Sequence, residues 1–125
     1  MNSLAISDAD DAVPGANASV SITTTTISGL AGPSDLTSIA LAATGGSIAA
    51  LTVVGSTNPG VAEAFTVTDL PSPSTFLMGA GNDTFVLEGA SYPSTIQTGD
   101  GNDTLRLGSA GGGLGAIVSA ITLDA

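Results

Sequence analysis

A short internal repeat with a period of 20 residues limits the folds that this chain can adopt. The segment from Gly79 to Leu87 aligns with the segment from Gly99 to Leu107 and is identical to it at six of nine positions. A further step of the same length back from Phe85 reaches Phe65, which begins another short apolar run. The period is therefore defined by two copies, and the pattern around Phe65 suggests a third.

Short β-strands are predicted along most of the chain, because Gly, Ser, Thr and Pro interrupt nearly every stretch of ten residues and the unbroken segments are alternating or β-branched. The predicted strands are Ala18 to Ile27, Leu36 to Ala43, Ser47 to Val54, Ala64 to Thr68, Thr75 to Met78, Thr84 to Leu87, Thr95 to Thr98, Thr104 to Leu107 and Ala116 to Leu123. The sequence thus predicts an all-β protein.

A period near 20 residues that holds two strands and two turns is what one coil of a β-solenoid, a parallel β-roll or β-helix, requires. The alternative is a β-sandwich, an antiparallel fold in which the two similar turns occur by chance. We expect one domain over residues 1–125, with residues 1–16 as an N-terminal arm or cap and residues 74–109 as the coils that carry the repeat.

The two repeated turns resemble the glycine-rich nonapeptide of RTX (hemolysin-type) calcium-binding proteins, G-G-x-G-x-D-x-U-x, in which U is a large apolar residue. Residues 78–86 and 98–106 match this pattern from its second glycine onward, and Met78 and Thr98 replace the first glycine. Residues 88–97 lack the motif, so the resemblance implies one or two calcium sites rather than a ladder on both sides.

Calcium ligands follow from this resemblance, position by position. Alternating glycines allow a turn to curl with carbonyl oxygens inward, and calcium takes about six to eight oxygens, more than one turn offers. The implied ligands are the carboxylates of Asp83 and Asp103 and the backbone carbonyls of Gly79, Gly81, Gly99 and Gly101. Asp100 is expected to lie outside this set, and a turn stabilised only by its own Asn and Asp side chains is the alternative.

Charge also favours a cation as the partner. The chain has eleven acidic residues against one basic residue, Arg106, and a net charge of −10, which disfavours nucleic acid as a partner. It contains no His or Cys, so a Ser-His-Asp triad, a thiol nucleophile and an ordinary zinc site are excluded, and we expect no enzyme. No apolar run approaches the roughly 18 residues of a membrane span.

Three functions remain in competition. The first is a secreted structural protein that self-assembles head to tail, as a homo-oligomer, into a filament or surface layer; RTX-like repeats occur in bacterial surface-layer proteins, and neither end shows an amphipathic capping helix. The second is a stand-alone calcium-dependent adhesive or export module, and the third is a carbohydrate-active enzyme. We expect an extracellular or cell-surface location in a bacterium, reached without a cleaved signal peptide, because the N-terminus lacks a basic start and an apolar stretch.

Overall fold

The computed structural model describes residues 3–7, 20–22, 26–28, 38–40 and 48–125, and these residues form only strands, turns and irregular segments. The strands are β1 (Ser3–Ser7), β2 (Val20–Ile22), β3 (Thr26–Ser28), β4 (Ser38–Ala40), β5 (Ala50–Val54), β6 (Ala64–Val67), β7 (Ser74–Leu77), β8 (Thr84–Leu87), β9 (Ser94–Gln97), β10 (Thr104–Leu107) and β11 (Ile121–Asp124). Within these residues no helix is long and apolar enough to span a bilayer. The predicted all-β class is confirmed.

The strands form two sheets. Sheet A has the order β1-β5-β7-β9-β11, and sheet B has the order β10-β8-β6-β2-β3-β4. Every neighbouring pair is parallel except β2 with β3 and β3 with β4, which are antiparallel. From β5 to β11 consecutive strands alternate between the sheets, so the chain runs out along sheet A and back along sheet B. Parallel pairing in this region differs from the antiparallel pairing that a sandwich predicts.

The 20-residue period appears directly in the strand register. In sheet B, Phe65 pairs with Phe85 and Phe85 pairs with Leu105, which confirms the step from Phe65 to Phe85 inferred from the repeat. In sheet A, Ser74 pairs with Ser94 at the same step of 20, whereas Leu51 pairs with Ser74 at 23 and Ser94 pairs with Ile121 at 27. The extra residues lie in the segments between β5 and β6 and between β10 and β11, which lengthen two turns without disturbing the strands.

The core lies between the two sheets, because alternate residues of each strand point inward. Phe85 is its centre: its ring stacks on that of Phe65 at 6.0 Å and meets that of Phe76 edge-on at 4.9 Å. The remaining fully buried strand residues are aliphatic, among them Leu51, Val53, Val67, Leu87 and Ile96. Because the strands are packed against this core, the turns that connect them are held in fixed positions.

Several predicted strand bounds need correction. The single strand predicted from Ala18 to Ile27 is wrong, because β2 and β3 are separate strands that pair antiparallel; Thr23 to Thr25 lie outside the described residues. Of the strand predicted from Ala116 to Leu123, residues 116–120 are not strand, and Ile117 forms only an isolated bridge with Ala90. The seven extra residues before β11 shift it from its expected place. The predicted N-terminal arm, residues 1–16, contains β1, and residues 8–16 lie outside the described residues.

Candidate metal site

The two glycine-rich turns predicted from the repeat lie directly against each other. Residues 79–83 join β7 to β8, and residues 99–103 join β9 to β10. Ala80 and Asp100 form a parallel bridge between them, in which the Asp100 N–H donates to the Gly79 carbonyl at 3.0 Å and the Gly81 N–H donates to the Asp100 carbonyl at 2.9 Å. The structure therefore brings all six predicted ligand residues into two stacked turns.

Glycine is required at these positions because the two backbones approach closely. Gly79, Gly81, Gly99 and Gly101 all have positive φ, at 99°, 146°, 84° and 137°. A Cβ on Gly99 would overlap the Gly79 carbonyl oxygen, and a Cβ on Gly101 would overlap the Gly81 carbonyl oxygen. Since these atoms belong to the backbone, no side-chain movement can make room. The carbonyls of Gly79 and Gly81 thus face the next turn, where the resemblance places ligands.

Asp83 and Asp103 have a role that the sequence did not reveal. Asp103 Oδ1 accepts the backbone N–H of Asp83 at 2.9 Å, and Asp83 Oδ1 accepts the backbone N–H of Glu63 at 2.9 Å. Each carboxylate therefore links its own turn to the residue 20 positions earlier. Asn82 links its turn to the following one, because its Oδ1 accepts the N–H of Asn102, 20 positions later, at 2.9 Å. The sequence signal for this role was the equal spacing of the acidic residues at positions 63, 83 and 103.

Asp83 carries an electrostatic penalty. Its side chain is 2% exposed, and its Oδ2 is buried without a hydrogen-bond partner. Burial raises the pKa of this carboxyl and the neighbouring Asp103 carboxylate adds to the rise, although the hydrogen bond from the Glu63 N–H opposes it. A buried carboxylate oxygen beside a second carboxylate is stabilised by a proton or by a cation.

Glu63 occupies the equivalent position in the preceding turn. Its side chain is 3% exposed, and its Oε2 accepts the Ser56 N–H at 3.1 Å. A Cβ on Gly55 would overlap the same oxygen, so the Glu63 side chain folds back into its own turn. That turn also contains three extra residues, Asn58 to Gly60, which close a small loop through the bond from the Val61 N–H to the Asn58 carbonyl at 3.0 Å. This turn therefore differs from the two glycine-rich turns.

No group of three or more Asp, Glu, His or Cys side chains within the described ranges could hold a metal ion. An ion in these turns would therefore depend on the two carboxylates together with backbone carbonyls, the donor set that the resemblance implies. Among the described residues, Asp83 Oδ2 is the buried carboxylate oxygen that has no hydrogen-bond partner.

On the opposite side of the sheets, Asp69 links two turns without any glycine motif. Its Oδ1 accepts the backbone N–H groups of Leu70 and Ser91, each at 2.8 Å, and its Oδ2 accepts the Ser91 hydroxyl at 2.9 Å. Burial raises the pKa of Asp69, but these three donors outweigh it and hold the pKa below 3.8. This carboxylate is already satisfied by the protein.

Comparison with known proteins adds no relative: no family model matches the chain, and neither the curated proteins nor the solved structures contain a match. The resemblance to RTX proteins therefore rests on the two turns themselves.

Proposed function

We propose that this protein is a calcium-stabilised β-solenoid that serves as a secreted structural protein and self-assembles through its ends into a filament or surface layer. The observation that carries the proposal is the buried, unpartnered Oδ2 of Asp83, which lies in a turn stacked against the turn of Asp103. A cation between these turns would relieve the burial and the repulsion together.

The solenoid part of the proposal is supported by the strand pattern from β5 to β11. These strands alternate between two sheets and pair in parallel with the strand two positions later. Each out-and-back unit contacts the next through strands, turns and core together, as solenoid coils do. The inserted residues leave the strand register intact, which is typical of insertions in the turns of repeat proteins.

The choice of calcium follows from the donor atoms. The chain has no His and no Cys, so only oxygen ligands are on offer for a multidentate site. Hard oxygen donors suit calcium and magnesium, and calcium accepts more ligands with less regular geometry. Magnesium requires a near-ideal octahedron and keeps several of its waters, whereas calcium accepts irregular sets of carboxylate and carbonyl oxygens, which favours calcium.

A structural role is favoured over the carbohydrate-active alternative by the position of the acidic side chains. Asp69, Asp83 and Asp103 accept backbone N–H groups within turns. A groove of about 190 Å³ lies where β7, β9 and β11 begin, and no charged residue lines it; its walls are Pro73, Ser74, Pro93, Ser94, Thr95, Ala120 and Thr122. Glycoside hydrolysis depends on a pair of carboxyl groups facing the sugar, and this groove has none.

Self-assembly is supported by the C-terminal end of the sheets. The edge strands there, β10 and β11, carry large apolar side chains that are partly exposed: Leu107 is 37% exposed and Leu123 is 52% exposed. Open strand edges with exposed apolar residues are sites at which further strands add.

Calcium binding is tested by isothermal titration calorimetry on chelator-treated protein, with magnesium as the competing ion. We expect one or two calcium ions to bind the native chain and Asp103→Asn to weaken binding by about tenfold or more, because it removes a ligand charge. Asn retains an oxygen that can accept the Asp83 N–H, so the variant separates charge from hydrogen bonding. Asp100→Asn is the matched control and should bind as the native chain does. Absence of calcium binding, or equal effects of the two variants, would contradict the assignment.

A further inference from the structure

The C-terminal end of the two sheets has a step. Sheet B ends with β10, whereas sheet A ends with β11, the strand that follows β10 in the chain. Since β9 and β10 are consecutive and lie in register with β7 and β8, β11 extends sheet A one strand beyond the last strand of sheet B. At this end, sheet A is therefore longer than sheet B by one strand.

The residues at this step continue the core columns but lack a covering layer. Leu107 shares a column with Leu87, and Leu123 shares a column with Ile96. Leu87 and Ile96 are 0% exposed, whereas Leu107 and Leu123 are 37% and 52% exposed. Leu105 and Ile121, the other inward residues of the two strands, are partly buried against the core. Another pair of strands would bury all four side chains.

We infer that this end binds the same end of a second copy of the chain, through a two-fold axis parallel to the strands. Such a rotation places sheet A of one copy above sheet B of the other. The raised β11 then fills the step above β10 of the second copy, and the reverse happens on the other side. Because the chain runs in opposite directions along the two sheets, both new strand pairs are antiparallel, and both strands have four residues.

A head-to-tail contact fits the described strands less well. At the other end, sheet B extends two strands, β3 and β4, beyond β2, whereas the outermost described strand of sheet A is β1, the neighbour of β5. If β4 of one copy paired with β10 of another, none of the described strands would fill the position in sheet A between β11 and β1. The tail-to-tail contact leaves no such vacancy.

Charge supports the same contact. Arg106, the single basic residue of the chain, lies on β10, where its side chain is 48% exposed and approaches Glu88 at 3.8 Å. When β10 and β11 of two copies pair over all four residues, Arg106 lies opposite Thr122 and diagonal to Asp124 of the second copy, within reach of a long side chain. The two-fold axis forms this contact twice, which offsets part of the repulsion between chains of net charge −10.

The inference deepens the proposed self-assembly and does not depend on calcium. It is tested by paired cysteine substitutions, since the native chain has no Cys. Thr104→Cys with Asp124→Cys places two thiols opposite each other across the tail-to-tail contact, at a Cα separation within the disulfide range of about 4.4 to 6.8 Å. Ser38→Cys with Arg106→Cys is the matched head-to-tail pair, because Ser38 and Arg106 lie in the same column at opposite edges of sheet B.

In a glutathione redox buffer we expect the first pair to give a covalent dimer on a non-reducing gel and the second pair to stay largely uncross-linked. Light scattering of the native chain should show a particle of at least twice the 11.9 kDa chain mass, and Leu123→Asp should lower that mass by removing the tail-to-tail contact. Tyr92→Asp, at a side chain 45% exposed on a turn, is the control and should leave the dimer intact. A ladder of cross-linked polymers from the Ser38 pair would overturn the tail-to-tail contact alone. A native chain that stays monomeric with and without calcium would overturn both this contact and the proposed self-assembly.

Discussion

Asp83 and Asp103 each use one carboxylate oxygen to accept a backbone N–H from the residue 20 positions earlier. The second oxygen of Asp83 is buried and has no partner. Hydrogen bonding therefore explains why these positions have a side-chain oxygen, but it does not explain why that oxygen carries a negative charge. Asparagine keeps the oxygen and removes the charge, so it separates the two roles.

For Asp83→Asn we expect a gain in the free energy of unfolding of about 1 to 2 kcal/mol in chelator at neutral pH, because a buried charge is removed while the acceptor for the Glu63 N–H stays. The same variant should lose its response to calcium. Urea unfolding followed by circular dichroism measures both effects. Asp100→Asn, at an exposed residue, should change the stability by less than about 0.5 kcal/mol. An Asp83→Asn variant that is no more stable than the native chain in chelator would contradict this expectation.

Asp69 predicts a dependence of stability on pH. Its pKa in the folded protein lies below 3.8, so its carboxylate stabilises the fold above that value and loses this contribution as the pH falls from 3.8 through the lower folded pKa. Asp69→Asn should therefore cost about 1 kcal/mol at neutral pH and almost nothing in strong acid. Thermal unfolding of both proteins across this pH range measures the difference. A loss that is the same at every pH would show that the charge of Asp69 contributes nothing.

The paired glycines of the two turns, Gly79 with Gly99 and Gly81 with Gly101, determine whether the turns can stack. Gly101→Ala should destabilise the protein by about 2 kcal/mol or more, because the new Cβ meets the Gly81 carbonyl and φ is +137°. Gly115→Ala is the matched control, since a Cβ there meets nothing within 4 Å. Urea unfolding of the two variants should rank them in that order, and equal stabilities would contradict the close stacking of the turns.

Strands β8 and β10 were predicted at their observed bounds because glycine-rich turn signals precede both and the apolar pattern repeats. The N-terminal strands were harder to predict. β1 pairs with β5 at a separation of 47 residues, and nothing local in Ser3 to Ser7 marks that partner. The shift of β11 has a similar cause, because seven extra residues in a glycine-rich segment leave no periodic signal. Local pattern thus predicts elements, whereas long-range pairing decides their partners.

The candidate metal site, too, was predicted only in part from the sequence. The spacing of the two motifs predicted that Asp83 and Asp103 would be neighbours, because one repeat separates them. The backbone N–H groups that they accept depend on side-chain geometry between stacked turns, which no spacing reveals. Glu63 was missed because its turn contains three extra residues and has no glycine at the two motif positions, so only its position 20 residues before Asp83 indicated the equivalence.

At the scale of the whole molecule, the seven strands from β5 to β11 form a linear stack in which each out-and-back unit contacts mainly its neighbours. Stability in such a stack is approximately the sum of unit and interface contributions. A calcium ion held between residues 79–83 and 99–103 would strengthen one interface near the C-terminal end. It would also order the units that carry β10 and β11, the strands of the tail-to-tail contact.

Calcium binding by the folded chain is tested by thermal unfolding of the whole chain, followed by circular dichroism, in chelator and then in increasing calcium. If calcium binds only the folded protein, a concentration 100-fold above its dissociation constant adds about 2.7 kcal/mol, which raises the Tm by about 10 °C for a chain of this size. We expect that rise with calcium and a much smaller rise with magnesium. A Tm that is the same in chelator and in millimolar calcium would contradict the proposal that calcium binds the folded chain.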